Sequence, residues 1–219
     1  MQGEKRRRFL QQCIATAAFF STRGLFAEQL AVTPRLTEGP YYPDSLPIDR
    51  DNDLVIVGDS LTPAAGAITQ LSGRILDISG NPVKDAAIEI WQVDNNGVYI
   101  NSRDPKRSRH DKNFQGYGAF TTASNGAYRF RTIKPVPYDN RCPHIHVKIS
   151  RNGREVLTTQ IFVQGEPLNA QDMVLNGLRD PFDRELVMAK FVPQDMGLAA
   201  RFDIVLGATP SERRMRGQE

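Results

Sequence analysis

The residues of this chain best placed to do chemistry lie in the segment Pro143-His144-Ile145-His146-Val147-Lys148-Ile149. Alternate residues of a β-strand face the same way, so His144 and His146 project together while Ile145, Val147 and Ile149 pack on the opposite side. Two imidazoles aimed at one volume suit a transition metal. Two polar residues on a solvent face is the competing reading, and spacing alone does not separate the two. A mononuclear metal site needs more ligands, yet the neighbouring sequence has neither a thiolate pair nor a convincing carboxylate triad. Tyrosine is then the remaining candidate, because phenolate is a hard anionic oxygen donor that favours Fe(III) over softer divalent ions. Tyr99 follows a strand-like run that ends at Val93, and Tyr138 lies in the loop leading into the histidine segment. A single tyrosine is more often core filler with a tethered hydroxyl, and that reading stays open for both.

Other reactive types carry less. His110, the third histidine, sits in a charged stretch from Arg103 to Lys112 and reads as a solvated loop residue. Of the two cysteines, Cys13 falls in an N-terminal leader and Cys142 stands alone between Arg141 and Pro143, so no disulfide framework exists and Cys142 reads as a small packed residue. Tyr128 and Trp91 are expected in the core.

The elements that must position these side chains read as strands. Ile68 to Asp77, Ala86 to Val93, Gly118 to Thr122, Ala127 to Ile133, His144 to Ser150, Val156 to Val163 and Phe202 to Leu206 are rich in β-branched or aromatic residues. Ser79-Gly80-Asn81-Pro82, Ser124-Asn125-Gly126 and Arg151-Asn152-Gly153 supply the turns between them. The spacing predicts an all-β domain, a two-sheet antiparallel β-sandwich over residues 54–212. A helical interruption is expected between Asn169 and Lys190, broken at Asp180-Pro181. Residues 28–53, rich in Pro, Asp and Tyr, read as an extended arm over the domain surface, and residues 213–219 as a polar tail.

Length and composition agree with one domain: 219 residues, 40% hydrophobic and 24% charged, with 17 Gly and 14 Pro to serve many short elements. The formal charge of +3 is concentrated at the start, where residues 1–27 hold five of the 28 cations and one of the 25 acids. The remainder is close to neutral, with no basic stripe to follow a phosphate backbone, so nucleic-acid binding has little support. Residues 1–27 themselves read as a targeting segment, with Lys5 to Arg8 basic, Cys13 to Phe20 apolar, and small and mixed residues to Ala27. That apolar run is too short for a stable membrane anchor. Arg6-Arg7-Arg8-Phe9-Leu10 resembles a twin-arginine signal, which implies periplasmic or secreted localisation of an already folded protein.

A set of segments spread over the chain resembles the intradiol ring-cleavage dioxygenases of the protocatechuate 3,4-dioxygenase type. They are Leu36-Thr37-Glu38-Gly39-Pro40-Tyr41-Tyr42, Ser72-Gly73-Arg74 with Gly80-Asn81-Pro82-Val83, Ile90-Trp91-Gln92 with Gly97-Val98-Tyr99, and Asn113-Phe114-Gln115-Gly116. Further along come Tyr128 to Pro135 with Pro137-Tyr138, then Arg141 with Pro143-His144-Ile145-His146, and Thr159-Gln160. The resemblance implies that Tyr99, Tyr138, His144 and His146 hold one Fe(III) per chain, with Tyr99 staying bound and Tyr138 the tyrosinate that substrate displaces. It implies catalytic roles for Arg141 and Gln160 beside the metal ligands, a small aromatic diol and O2 as reactants, and a muconate-type diacid as product. It also implies a homo-oligomer or a paired homologous chain.

Two features depart from that family pattern: only Asp139-Asn140 separates Tyr138 from Arg141, and the long helical N-terminal region of the catechol and hydroxyquinol branches is lacking. Two other functions fit parts of the sequence. Ser72 to Trp91 also has the pattern of small prealbumin-like binding modules, and a zinc hydrolase could use His110 as a third ligand.

Overall fold

The computed structural model describes residues 30–207. Ten strands form two five-stranded sheets. One sheet takes β1 (Ile68–Asp77), β4 (Ala127–Ile133), β8 (Phe191–Gln194), β9 (Gly197–Arg201) and β10 (Ile204–Leu206). The other runs β3 (Tyr117–Thr121), β2 (Ala87–Trp91), β5 (His144–Arg151), β6 (Arg154–Val163) and β7 (Met188–Ala189). Between them lies the main core, where Leu71, Ile75 and Phe130 face Ile88, Ile90, Ile145, Val147, Ile149 and Ile161. Strand alternation supplies this pattern, since Leu71 and Ile75 of β1, Ile88 and Ile90 of β2, and Ile145, Val147 and Ile149 of β5 recur on alternate positions and are buried.

The expected sandwich is present, with strands β1 and β4 at the bounds read from the sequence. The sheets are mixed rather than purely antiparallel, because β1 pairs in parallel with both β9 and β10, and β6 with β7. Between β6 and β7 the chain makes a 3-10 turn (Pro167–Gln171) and two short helices, α1 (Met173–Gly177) and α2 (Pro181–Glu185). The helical segment stops sooner than its composition predicts: Met188 and Ala189 leave it to pair with Phe162 and Val163. The hairpin of β8 and β9 was not expected either. Val192, Pro193 and Gln194 are exposed and Gly197 opens β9, so neither strand shows the alternation of a half-buried sheet.

Within the expected arm, Val32 and Thr33 are buried, and backbone hydrogen bonds tie Leu30 to Ile78, Thr33 to Val205 and Leu36 to Thr158. At the β5–β6 hairpin, Asn152 and Gly153 take φ of 50° and 72°, the left-handed pair that a two-residue turn demands. The expected leader and polar tail, and residues 28–29 and 208–212, lie outside the described residues.

Candidate metal centre

The site forms on the face of the second sheet turned away from the main core. Register places Tyr117, Trp91, His146 and Gln160 in one row across β3, β2, β5 and β6, with Glu89, Lys148 and Thr158 in the next. Ile145, Val147 and Ile149 anchor β5 from the core side, so both histidines emerge together as strand alternation requires. Both are buried. His144 Nε2 and His146 Nε2 lie 3.2 Å apart, and Tyr99 Oη is 3.0 Å from His146 Nε2.

Tyr99 reaches this point from the turn after β2. Buried Asp94 shapes the turn by accepting the backbone N–H groups of Asn96 and Val98, and Asp104 accepts that of Tyr99. Tyr138 arrives from the opposite side. Its backbone N–H and C=O pair with those of Arg141 across the two-residue turn Asp139-Asn140, with Asp139 at φ 46°. The Tyr138 ring lies 5.0 Å from that of Tyr99 and 5.6 Å from that of His144, centroid to centroid. Its hydroxyl interacts with both the Tyr99 hydroxyl and Arg141. All four residues read as ligands from the resemblance therefore converge. Tyr99 is fully buried and Tyr138 is half-buried.

The surroundings set the charge state. Burial, with Arg141 adding to it, pushes the His144 imidazole down to about 3, and burial pushes His146 well below its usual value too. Both rings are neutral at neutral pH. His144 Nδ1 lies 2.6 Å from the Cys142 carbonyl, which can only accept, so Nδ1 carries the proton and Nε2 presents its lone pair to the centre. Burial also raises the Tyr99 and Tyr138 phenols above their ordinary range. Two imidazoles and two phenols thus meet in one largely buried volume, and His146 Nδ1 is buried without a partner.

This donor set fits a metal ion. Bonds of about 2.1 Å meeting near a right angle put neighbouring donors about 3 Å apart, the separation seen here. A highly charged ion would also provide the energy to ionise the two phenols, and hard oxygen donors select Fe(III) over zinc or copper. Among the described residues no group of three His, Cys, Asp or Glu could hold a metal, so a metal bound at this point would have to draw on tyrosine as well as histidine. His110 stays apart, tilted against Phe114, and gives no support to a three-ligand zinc site. It is not a solvated loop residue as its neighbours imply, because its Nε2 is buried without a partner.

Arg141 and Gln160, read as residues that act beside the metal ligands, do meet: Arg141 Nη2 donates to Gln160 Oε1 at 2.6 Å. Gln160 Nε2 in turn donates to the Thr37 carbonyl. Three further contributors were not read from the sequence as site residues. Asp172, buried, accepts from Arg141 Nε at 2.8 Å. Tyr41 stacks on Tyr99 with centroids 5.1 Å apart. Trp91, buried in the core as expected, also stacks on His146 at 4.8 Å and 10°. The register of β2 and β5 could have placed Trp91, since it stands directly opposite His146. Cys142 is buried, and burial together with nearby Asp172 raises its thiol, so it is packed and unreactive.

Residues 37–208 match the family described as Dioxygenase. The chain is 35% identical over 159 residues to the protocatechuate 3,4-dioxygenase beta chain of Burkholderia cepacia, covering 65% of this chain and 67% of that one. It is 31% identical over 196 residues to the hydroxyquinol 1,2-dioxygenase of Corynebacterium glutamicum, covering 77% of this chain but 61% of the relative. Among solved structures, the dioxygenase domain of a dioxygenase carbohydrate-binding protein fusion from Streptomyces sp. SirexAA-E superposes with a TM-score of 0.63 at 30% identity, covering 81% of this chain and 99% of that one. Catechol 1,2-dioxygenase from Acinetobacter sp. ADP1 superposes with a TM-score of 0.60 at 27% identity, covering 88% of this chain and 67% of that one. The chain belongs to the intradiol dioxygenase family. A non-catalytic prealbumin-like module is accordingly not favoured.

Proposed function

We propose that this protein is a non-haem Fe(III) dioxygenase that opens a catechol-type ring between its two hydroxyl-bearing carbons with O2, giving a muconate-type diacid. The observation that carries the proposal is the convergence of Tyr99, Tyr138, His144 and His146 on one buried point. Ferric iron held there would act as a Lewis acid that binds the catecholate and draws electron density so that the ring can react with dioxygen.

The chain's own residues divide the remaining work. A catechol binding through both oxygens sheds two protons: the Tyr138 phenolate, half-buried beside a two-residue turn, is free to swing out and accept one at Oη, and the other passes to solvent base at the site. Tyr99, buried beneath Tyr41 and hydrogen-bonded to His146, has no such freedom and stays. Neutral His144 and His146 offer lone pairs without adding charge. Arg141, beside Tyr138, supplies a fixed guanidinium for negative charge developing on the ring, and Gln160 keeps it aimed. Trp91 and Tyr41 close the site against water.

The test is the visible spectrum of iron-supplemented protein before and after anaerobic addition of catechol, protocatechuate and hydroxyquinol. A red-brown phenolate-to-iron band that shifts with a ligand, followed by a diacid product on admitting O2, is expected. Colourless protein that holds no iron despite supplementation would defeat the reading. Export by the twin-arginine route is proposed on residues 1–27 alone. A reporter fusion that still exports with Arg6→Lys and Arg7→Lys together would refute that route. A self-pairing or a paired homologous chain is proposed by analogy with relatives named as beta and alpha chains.

A further inference from the structure

The two histidines at the centre are held by different means. His144 Nδ1 meets the Cys142 carbonyl at 2.6 Å, a hydrogen bond that fixes both the plane of its ring and the edge turned inward. His146 has no such anchor. Its Nε2 faces Tyr99 Oη at 3.0 Å and His144 Nε2 at 3.2 Å, so Nδ1 points away from the centre, and that nitrogen is buried without a partner. Histidines that bind metals ordinarily donate from the second ring nitrogen to a carboxylate, a carbonyl or water, and metal affinity falls when that partner is removed.

His146 has a flat surface instead. Trp91 stands directly across from it in the pairing of β2 and β5, and its ring lies 4.8 Å from the imidazole and within 10° of parallel. The rings of Tyr99 and His144 are inclined to His146 at 59° and 72°, so neither can hold it flat. Trp91 is itself braced. It is fully buried, the Tyr42 ring stands at 83° to it with centroids 5.0 Å apart, and the Lys148 ammonium lies 3.7 Å over Tyr42 and 5.7 Å over the indole. Lys148 is ion-paired with Glu38 and faces Glu89 across the strands, where Glu89 accepts the Tyr117 hydroxyl at 2.7 Å. An indole packed in this way resists rotation, and its face confines the imidazole to one plane.

Resting on the ferric reading above, we propose that Trp91 is a positioning residue for the metal: its face, in place of a hydrogen bond, sets the plane in which His146 offers Nε2. The nitrogen lone pair lies in the plane of the ring, so a tilt would turn it away from the point where the other donors meet. Stacking fixes the plane alone, and ligation at Nε2 fixes the edge.

The experiment compares Trp91→Met, which fills much of the same volume without a ring, with Trp91→Phe, which keeps a flat face. Iron dissociation constants are read by competition with a chelator, and the visible band is recorded for each iron-loaded variant. Trp91→Met is expected to bind iron about tenfold more weakly or worse with a displaced band, and Trp91→Phe to stay within about threefold of the parent with the band in place. Phe130→Leu, a loss of packing in the main core away from His146, is expected to bind iron as the parent does. Parental affinity and band in Trp91→Met would overturn the inference. So would equal losses in Trp91→Met and Trp91→Phe, or a comparable loss in Phe130→Leu, because the effect would then follow packing and not the stacked face. Should Trp91→Met fail to fold, Trp91→Phe decides alone, and a folded Trp91→Phe about tenfold weaker than the parent would overturn the inference. A parent protein that takes up no iron would instead defeat the ferric reading itself.

Discussion

Asp172 joins two parts of the molecule that the sequence keeps thirty-one residues apart, because one oxygen, Oδ2, accepts both Arg141 Nε at 2.8 Å and the Cys142 backbone N–H at 3.0 Å. Its other oxygen caps α1 through Val174 and Leu175. The residue that orients the guanidinium is thus also the one that starts α1. Arg141 has little freedom as a result, which suits a charge meant to stabilise a developing anion without reorganising.

Replacing Asp172 should therefore separate structural from chemical effects. Asp172→Ala loses a helix cap and strands a largely buried cation, so a stability loss of about 3 kcal/mol is expected in urea unfolding. Asp172→Asn keeps the cap acceptor and most of that stability. It should still lower kcat by about tenfold with KM little changed, because Arg141 is no longer held by a charge. A variant whose kcat and KM both match the parent would show that Arg141 does not depend on Asp172.

The same carboxylate gives a pH dependence. Burial alone would raise its pKa, but the Leu175 N–H and Arg141 outweigh that and hold it below the usual 3.8. A group with a depressed folded pKa stabilises the fold above its unfolded value, and the contribution disappears as pH falls through the folded one. The stability gap between parent and Asp172→Asn should be constant near neutrality and shrink below about pH 3.8. Acid titration by circular dichroism at several urea concentrations measures it, and a gap that does not narrow at all as pH falls below 3.8 would contradict the assignment.

How much of this was legible in the sequence depends on the range of the interaction. The histidine pair was visible because β alternation is local, and Ile145, Val147 and Ile149 betray which face is buried. Tyr99 and Tyr138 were legible only through the family resemblance, since nothing local distinguishes a ligand tyrosine from Tyr128, which fills the core. Asp172 was hidden for a different reason. Its role as an N-cap is local, but its grip on Arg141 exists only once the segment after β6 folds back over the β5 entrance. The β8–β9 hairpin escaped because β8 is an exposed edge strand on which no alternation is imposed, and β9, though paired on both sides, is short and built mostly of small residues.

Gly39 provides a test of the arm as part of the site. Its φ is +73°, and a Cβ there would stand 3.4 Å from His146 Cε1. Gly153 has nearly the same φ, +72°, with open space around it. Alanine at either position should cost about 1 kcal/mol of backbone strain. Only Gly39→Ala should also set a methyl against His146 in van der Waals contact, so any effect of the backbone strain on the site, read as iron content after dialysis against a chelator, should appear for that variant alone. Equal iron retention in the two would show that the arm does not bear on the metal centre.

The two tyrosines should fail in different ways. Tyr99 is buried, hydrogen-bonded to His146 and covered by Tyr41, so removing its oxygen takes away a ligand that nothing mobile can replace. Tyr99→Phe should bind iron weakly and lose most of the visible band, as should His144→Ala and His146→Ala. Tyr138 is half-buried on a short turn, and its phenol is the one suited to leave and take a proton. Tyr138→Phe should keep most of its iron and a band from Tyr99, shifted in wavelength, while kcat falls by about 100-fold for want of a base at that position. Metal analysis and visible spectra of the purified variants decide between the roles: iron lost from Tyr138→Phe and retained in Tyr99→Phe would reverse the assignment, because the buried phenol would then be the dispensable one.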